Sequence, residues 1–399
     1  MSLDLKSNQV SSARYNSISL SHNQAQKAKS DIFEGTSTLE KILLSSLTNI
    51  DKDFKLGIPL SGGLDSRAIV YQSYQKFKFE TLTYGQEHSF EFSNADAVAK
   101  ALDLVNHKYI LDNKHYLNTH IESCVYSGGI SHLMHSHLSS AIASNSFKGV
   151  VIGFMGDPIA GSAQHINFQG KGFEDFADAL LKYRKIGLKD LKNIFSTSDE
   201  AEIVEDLRDL YIDIKDLCPH ERLLEYYFIV IRQSKLISSI FNSILSQKIQ
   251  IFYPFMDDRF ARFFLELGYD DRLNRKFYKE CIREMESKFF SNFGLDIAFP
   301  KTRLYGMNAK AARTCQSLVE LISMGKFSLS NPFLTENPNS VLNNCLKNIY
   351  SESLSVCEAN GIINQELAKK IQGPFLTTAW THSAFRIISI KKMIDYFSI

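Results

Sequence analysis

The sequence predicts an α/β fold: a parallel sheet flanked by helices, followed by a mainly helical C-terminal lobe. Three observations carry that expectation. Apolar runs of strand length recur at 54–60, 77–84, 106–111 and 149–152, and helical periodicity follows the earlier runs. The runs are close to continuous in apolar residues, as in strands covered on both faces. From about residue 199 onward helical patterning dominates.

Residues 1–35 are rich in Ser, Asn, Gln and Lys and are expected to form a partly ordered arm. Leu39, Ile42, Leu43 and Leu47 then share a helical face, with Ser37 or Thr38 expected as the cap. The first strand breaks at Gly62-Gly63, and the helix after it carries Leu64, Ala68 and Ile69. A second strand ends at Thr83-Tyr84-Gly85. Ser93 with Asp96 predicts the start of a helix bearing Ala95, Val98, Ala99 and Leu102. The fourth strand ends in Gly153-Phe154-Met155-Gly156-Asp157. Further on, 199–217 reads as an amphipathic helix and 221–245 as a long helix with an aromatic face at Tyr226, Tyr227 and Phe228. The expected units are the arm at 1–35, a nucleotide-binding region at 36–200, and a helical lobe at 201–399 that completes the site.

The chemistry centres on Leu60-Ser61-Gly62-Gly63-Leu64-Asp65-Ser66-Arg67. A glycine pair between strand and helix lets backbone N–H groups converge, which suits a phosphate, and Ser61 and Ser66 add hydroxyls. Asp65 would repel a bare phosphate; it fits there if it holds a magnesium ion shared with the phosphates. The Lys-Ser/Thr ending of a Walker A loop is missing, and so is the spaced-glycine dinucleotide pattern. His132, His135 and His137 form a weak metal pattern, because only the first two share a helical face.

The segment resembles the Ser-Gly-Gly-x-Asp-Ser pyrophosphate loop of the ATP-pyrophosphatase superfamily, whose fold is adenine nucleotide alpha hydrolase-like. Within that group it resembles the synthetase domain of the asparagine synthetase family, related to beta-lactam synthetases and lasso-peptide cyclases. The resemblance covers about residues 38–306. It implies ATP and Mg2+ as cofactors, with Leu60, Ser61, Gly62, Gly63, Asp65, Ser66, Thr83, Gly85, Gly153 and Gly156 against the nucleotide. Asp65 and Asp157 would share the metal. Pro254-Phe255-Met256-Asp257 resembles the family's Pro-Phe-Leu-Asp, and Lys279 falls where a lysine approaches the phosphates. Lys301, with Arg303 as its rival, would stabilise charge during attack on an acyl-adenylate. Two departures stand out. The acid expected before the glycine of the Asp157 loop is replaced by Phe154 or Met155, and the acid after Asp157 by Pro158. The family's N-terminal glutaminase nucleophile has no counterpart, since Ser2 follows Met1 and the first cysteine is Cys124.

The implied activity is an ATP-dependent, AMP-forming amide ligase acting on a small-molecule or peptide carboxylate. Its amine or ammonia would come from a substrate or from a separate glutaminase partner. The alternatives are a degenerate nucleotide-binding partner protein and a nucleobase-modifying ATP-pyrophosphatase. Lys plus Arg number 45 against 44 for Asp plus Glu, so bulk charge gives no reason to expect nucleic acid. Six cysteines without a CxxC pair suggest neither a disulfide framework nor a zinc site. No leader and no apolar stretch of membrane-spanning length are evident, so a cytoplasmic protein with no membrane association is expected.

Overall fold

A computed structural model describes residues 2–4, 9–11, 31–47, 50, 54–61, 63–87, 89–112, 114–115, 125, 135–162, 170, 172–182, 197–291, 346–359, 388 and 391. Within 1–35, β1 (Ser2–Asp4) and β2 (Gln9–Ser11) pair antiparallel. The central sheet has five strands: β3 (Leu56–Pro59), β4 (Phe79–Gly85), β5 (Asn106–Ile110), β6 (Gly149–Val151) and β7 (Gln250–Phe252). Their spatial order is β5-β4-β3-β6-β7 and every pairing is parallel. The parallel sheet flanked by helices that the sequence predicts is therefore present. Its fifth strand comes from the half of the chain read as helical.

The two faces of the sheet are buried differently. Leu56, Ile58, Leu60 and Val151 join a large cluster with Leu39, Leu43, Ala68, Phe255, Phe260 and Tyr278. Leu82, Val150 and Ile152 join a smaller one with Leu138, Ile142, Ile240 and Ile244. Along β6 the side chains alternate between the clusters, as the two-residue strand period requires. The helices packed on the larger face are α1 (Ile32–Ser45), α2 (Leu64–Ser73) and a later helix that crosses both.

Three local expectations are corrected. First, α1 starts five residues before Ser37, capped by Asp31, whose Oδ1 accepts from Phe33 N at 2.8 Å. The sequence scan sought the cap beside the first periodic leucine, but Thr36 is already buried against the Cys281 carbonyl. Second, α3 spans Phe90–Ala101, so Ser93 lies inside it; Asp96 accepts from Asn106 Nδ2 and Lys108 Nζ instead of capping. Third, the long helix is segmented. After α4 (His137–Ala143), α5 (Gly156–Ala160), α6 (Phe173–Lys182) and α7 (Thr197–Ile214) comes α8 (Leu223–Tyr226), a π-helical stretch at Tyr227–Gln233, and α9 (Ser234–Leu245). Further α-helices are α10 (Asp258–Leu265), α11 (Tyr269–Arg272), α12 (Lys276–Ser291) and α13 (Lys347–Ala359).

Candidate active site

A cleft of about 370 Å³ opens beyond the carboxyl ends of β4, β3 and β6, the position at which parallel α/β sheets bind ligands. Its floor is the loop from β3 into α2. The Ser66 hydroxyl lies 3.0 Å from that of Ser61 and accepts from Ser61 N at 3.1 Å, while Gly63 N donates to Ser61 Oγ at 3.1 Å. The two hydroxyls thus brace a tight turn. The start of α2 at Gly63 has no side-chain cap.

Asp65 and Asp157 meet here although 92 residues separate them: Asp157 N donates to Asp65 Oδ2 at 3.0 Å. Gly156 makes the approach possible, because a Cβ at that position would overlap the Asp65 carboxylate. The Tyr278 hydroxyl donates to Asp65 Oδ1 at 2.7 Å. Burial pushes the Asp65 carboxyl up to about 7, the nearby Asp157 carboxylate adds to the rise, and the Tyr278 hydroxyl opposes it. Burial and Asp65 together push the Tyr278 phenol well above its usual range. Asp157 is more open and pairs with the Arg275 guanidinium.

The backbone around that ion pair is unusual. Met155, Asn274 and Arg275 have φ of 74°, 55° and 61°, in the left-handed region that side chains seldom occupy. Such conformations cost energy and persist only where the surroundings impose them. One such constraint is visible. Arg272, almost fully buried, pairs with Glu225 and donates to the Ile159 carbonyl at 3.1 Å. Glu225 also accepts from Arg222 Nε at 2.9 Å, and the two arginines hold its carboxyl below the usual range against burial. Gly161, at φ 116°, lies against the Arg272 carbonyl where a Cβ would overlap it. Arg272 therefore fastens α5 to α11.

On the β4 and β5 side the groups nearest the loop are uncharged, and the ion pairs Asp96 with Lys108 and Glu80 with Lys55 lie at more exposed positions. Thr83 Oγ1 donates to the Leu60 carbonyl at 2.8 Å and lies 3.1 Å from Asn106 Oδ1. Tyr109 Oη, His115 and His137 form a chain with spacings of 2.9 and 2.8 Å. Burial holds His115 down to about 4, and the neighbouring His137 adds to the shift.

Of the residues singled out from sequence, Leu60, Ser61, Gly63, Asp65, Ser66, Thr83, Gly153 and Asp157 line the cleft. Gly156 lies behind Asp65, and Gly85 ends β4 with its carbonyl bonded to Leu111 N. Lys279 is half-buried one turn after Arg275. Burial first, and then Arg275, lower its ammonium pKa. Gly62, His132, Lys301 and Arg303 fall outside the described residues. Of the other two histidines, His135 is described and His137 is engaged with His115. No grouping of three metal-ligating side chains occurs among the described residues. Asp257 caps α10, accepting from Arg259 N at 2.8 Å.

Arg67, the last residue of the loop motif, turns away from the cleft. It is buried 3.4 Å from Glu286 and joins α2 to α12. Sequence reasoning missed Arg275, Tyr278, Glu91 and Leu138. A signal existed for Tyr278, which shares a helical face with Ile282 and Met285 and directly precedes Lys279. Nothing local says that its hydroxyl meets a carboxylate 213 residues away.

Residues 39–207 match the family model described as asparagine synthase, so this segment is an asparagine synthetase-like synthetase domain. The match spans less than half of the 399 residues and ends before Arg275 and Tyr278. No curated protein matches the chain. No helix among the described residues is long and apolar enough to cross a membrane.

Proposed function

We propose that the chain is an ATP-dependent amide-forming ligase that adenylates a carboxylate and transfers the acyl group to ammonia or an amine. One observation carries the reading: two carboxylates from separate strand ends, Asp65 and Asp157, converge beside a hydroxyl-braced glycine turn. No packing requirement calls for such a pair. Although Arg275 neutralises Asp157, burial beside a second carboxylate still raises the cost of ionising Asp65, which a bound cation would relieve. Hard oxygen donors beside a phosphate-sized turn suit Mg2+. Asp65 and Asp157 would hold that ion, which would supply charge neutralisation for the phosphates.

The chain's own groups do the rest. Ser61, Ser66 and the N–H groups of the turn orient the phosphates. Arg275, released from Asp157, offers a cation to the departing pyrophosphate. In the first step a carboxylate oxygen bonds to the α-phosphorus as the bond to the β-bridging oxygen breaks and pyrophosphate leaves. In the second the amine nitrogen bonds to the acyl carbon, the bond to AMP breaks, and the nitrogen loses a proton. Lys279 stands near the phosphates in this reading, and Lys301 or Arg303 would answer the charge of the second step.

The test is exchange of labelled pyrophosphate into ATP across pools of carboxylates, paired with calorimetric titration of Mg·ATP. Exchange that depends on one acid and falls at least a hundredfold in Asp65→Asn and Asp157→Asn is expected. Mg·ATP binding without exchange in any pool would favour a nucleotide-binding partner protein. Loss of both would remove the ligase reading.

A further inference from the structure

An aromatic ladder leads out of the cleft on its β6 side. Phe154, at the cleft wall, lies 6.2 Å from Phe241 of α9 with ring planes at 33°. Phe241 stacks on Tyr253, just past β7, at 5.5 Å and 29°. The outer end is open: Tyr253 is 46% exposed and Met256, three residues on, is 39% exposed. Left-handed Met155 buries its own side chain while Phe154 beside it faces the cleft. The backbone is thus held in a costly shape that leaves an aromatic ring, not a polar group, at this wall.

We propose that Phe154, Phe241 and Tyr253 form the acyl subsite, and that it takes an aromatic carboxylic acid with no cationic group beside the carboxylate. The inference rests on the ligase reading above. The phosphate loop follows β3, the middle strand, and so divides the cleft in two. Thr83, Tyr84, Glu91 and Leu138 lie on the β4 side, where a carboxylate and strand-end backbone suit a ribose and a base. With the nucleoside on the β4 side, the β6 side, where Phe154 stands, is the part of the cleft left for the acid to be activated. Among the described residues the acids lining the cleft are Asp65, Asp157 and Glu91. The first two hold each other, Tyr278 and Arg275, and Glu91 belongs to the opposite side. A substrate ammonium on the ladder side would therefore meet aromatic rings and no free carboxylate among the described residues. An aromatic body would gain offset stacking and area burial there.

Benzoate, phenylacetate and 3-phenylpropionate are the probes, with acetate, aspartate and glutamate as comparison acids. Two readouts are taken: pyrophosphate exchange, and calorimetric titration of each acid into the protein loaded with Mg2+ and a non-cleavable α,β-methylene ATP. At least one aromatic acid should bind and exchange roughly tenfold better than acetate or aspartate. Tyr253→Ala and Phe241→Ala should weaken that acid's binding roughly tenfold, Tyr253→Phe should restore it, and the ATP-analogue affinity should stay within about twofold. Tyr253 is exposed enough that its truncation leaves the core intact. Aromatic acid binding without exchange would remove the ligase reading and leave the subsite standing. Failure of every aromatic acid to bind, a preference for aspartate or glutamate, or loss of ATP-analogue affinity in Tyr253→Ala would overturn the subsite. The last outcome would place the nucleobase on the ladder.

Discussion

The two sides of the cleft are held by different forces. On the β4 and β5 side the groups nearest the loop are uncharged: Thr83 on the Leu60 carbonyl, and Tyr109 through His115 to His137. The ion pairs of that side, Asp96 with Lys108 and Glu80 with Lys55, lie at more exposed positions. On the β6 side they are ionic, with Asp157 on Arg275 and Arg272 between Glu225 and the Ile159 carbonyl, on a backbone with three left-handed residues. A neutral network is satisfied within the chain and has little to gain from a charged ligand. An ion pair at the cleft can exchange its partner; in the proposed reading Asp157 would take a metal and Arg275 a phosphate at small net cost in charge. The contrast suggests that the neutral side presents a fixed surface and the ionic side responds to ligand.

The largest expected effect is on the ionic side. Arg272→Ala leaves the buried Glu225 carboxylate with only Arg222 and should cost about 3–5 kcal/mol in urea unfolding. Replacing both partners, Glu225→Leu with Arg272→Met, should cost much less. If the double variant is as unstable as the single one, Arg272 acts through its contacts with Ile159 and Gly161 and not through charge.

The next effect is a pH dependence from the neutral side. His115 is held at about 4 against an ordinary 6.5, so between these values the unfolded chain binds more protons than the folded one. Its contribution, about 1–3 kcal/mol, is full above 6.5 and is lost as pH falls toward 4. The carboxyls of Asp65 and Glu286, both pushed up to about 7, act in the opposite sense, and their contribution is lost as pH rises toward 7. The parent profile should therefore be shallow. Unfolding midpoints of His115→Gln should decline steadily as pH rises from about 4.5 to 7. A parent-like profile in that variant would show that His115 is not held neutral.

The smallest effect tests whether the neutral side fixes the loop. Thr83→Val removes the hydroxyl bonded to the carbonyl just before Ser61, and should cost about 1–2 kcal/mol with a modest loss of Mg·ATP affinity. Unchanged affinity at reduced stability would show that the loop's own serines hold its shape.

Much of this was legible in the chain. The strand, glycine pair and helix around Ser61 follow from periodicity and turn chemistry acting within a few residues, and so does the placing of Asp65 and Asp157 after strands. Helix starts were read less well. Asp31 and Ser89 lie at the true starts, but the packing that fixes those starts comes from α12 for α1, and from β4 and β5 for α3. The short β7 carries too few residues for its period to show, and it is a strand because β6 is there to pair with it.

By itself, then, the sequence determined the alternation of strand and helix, the turn between β3 and α2 and the two acids beyond strand ends, because each depends on near neighbours along the chain. Only the tertiary structure decided that Tyr278 hydrogen-bonds Asp65, that Arg275 meets Asp157, and that Arg67 leaves the cleft for Glu286. It also lined up Phe154, Phe241 and Tyr253 from three separate elements. These contacts join residues tens to hundreds of positions apart. They are set by how helices and strands pack on a shared core, which no local pattern encodes.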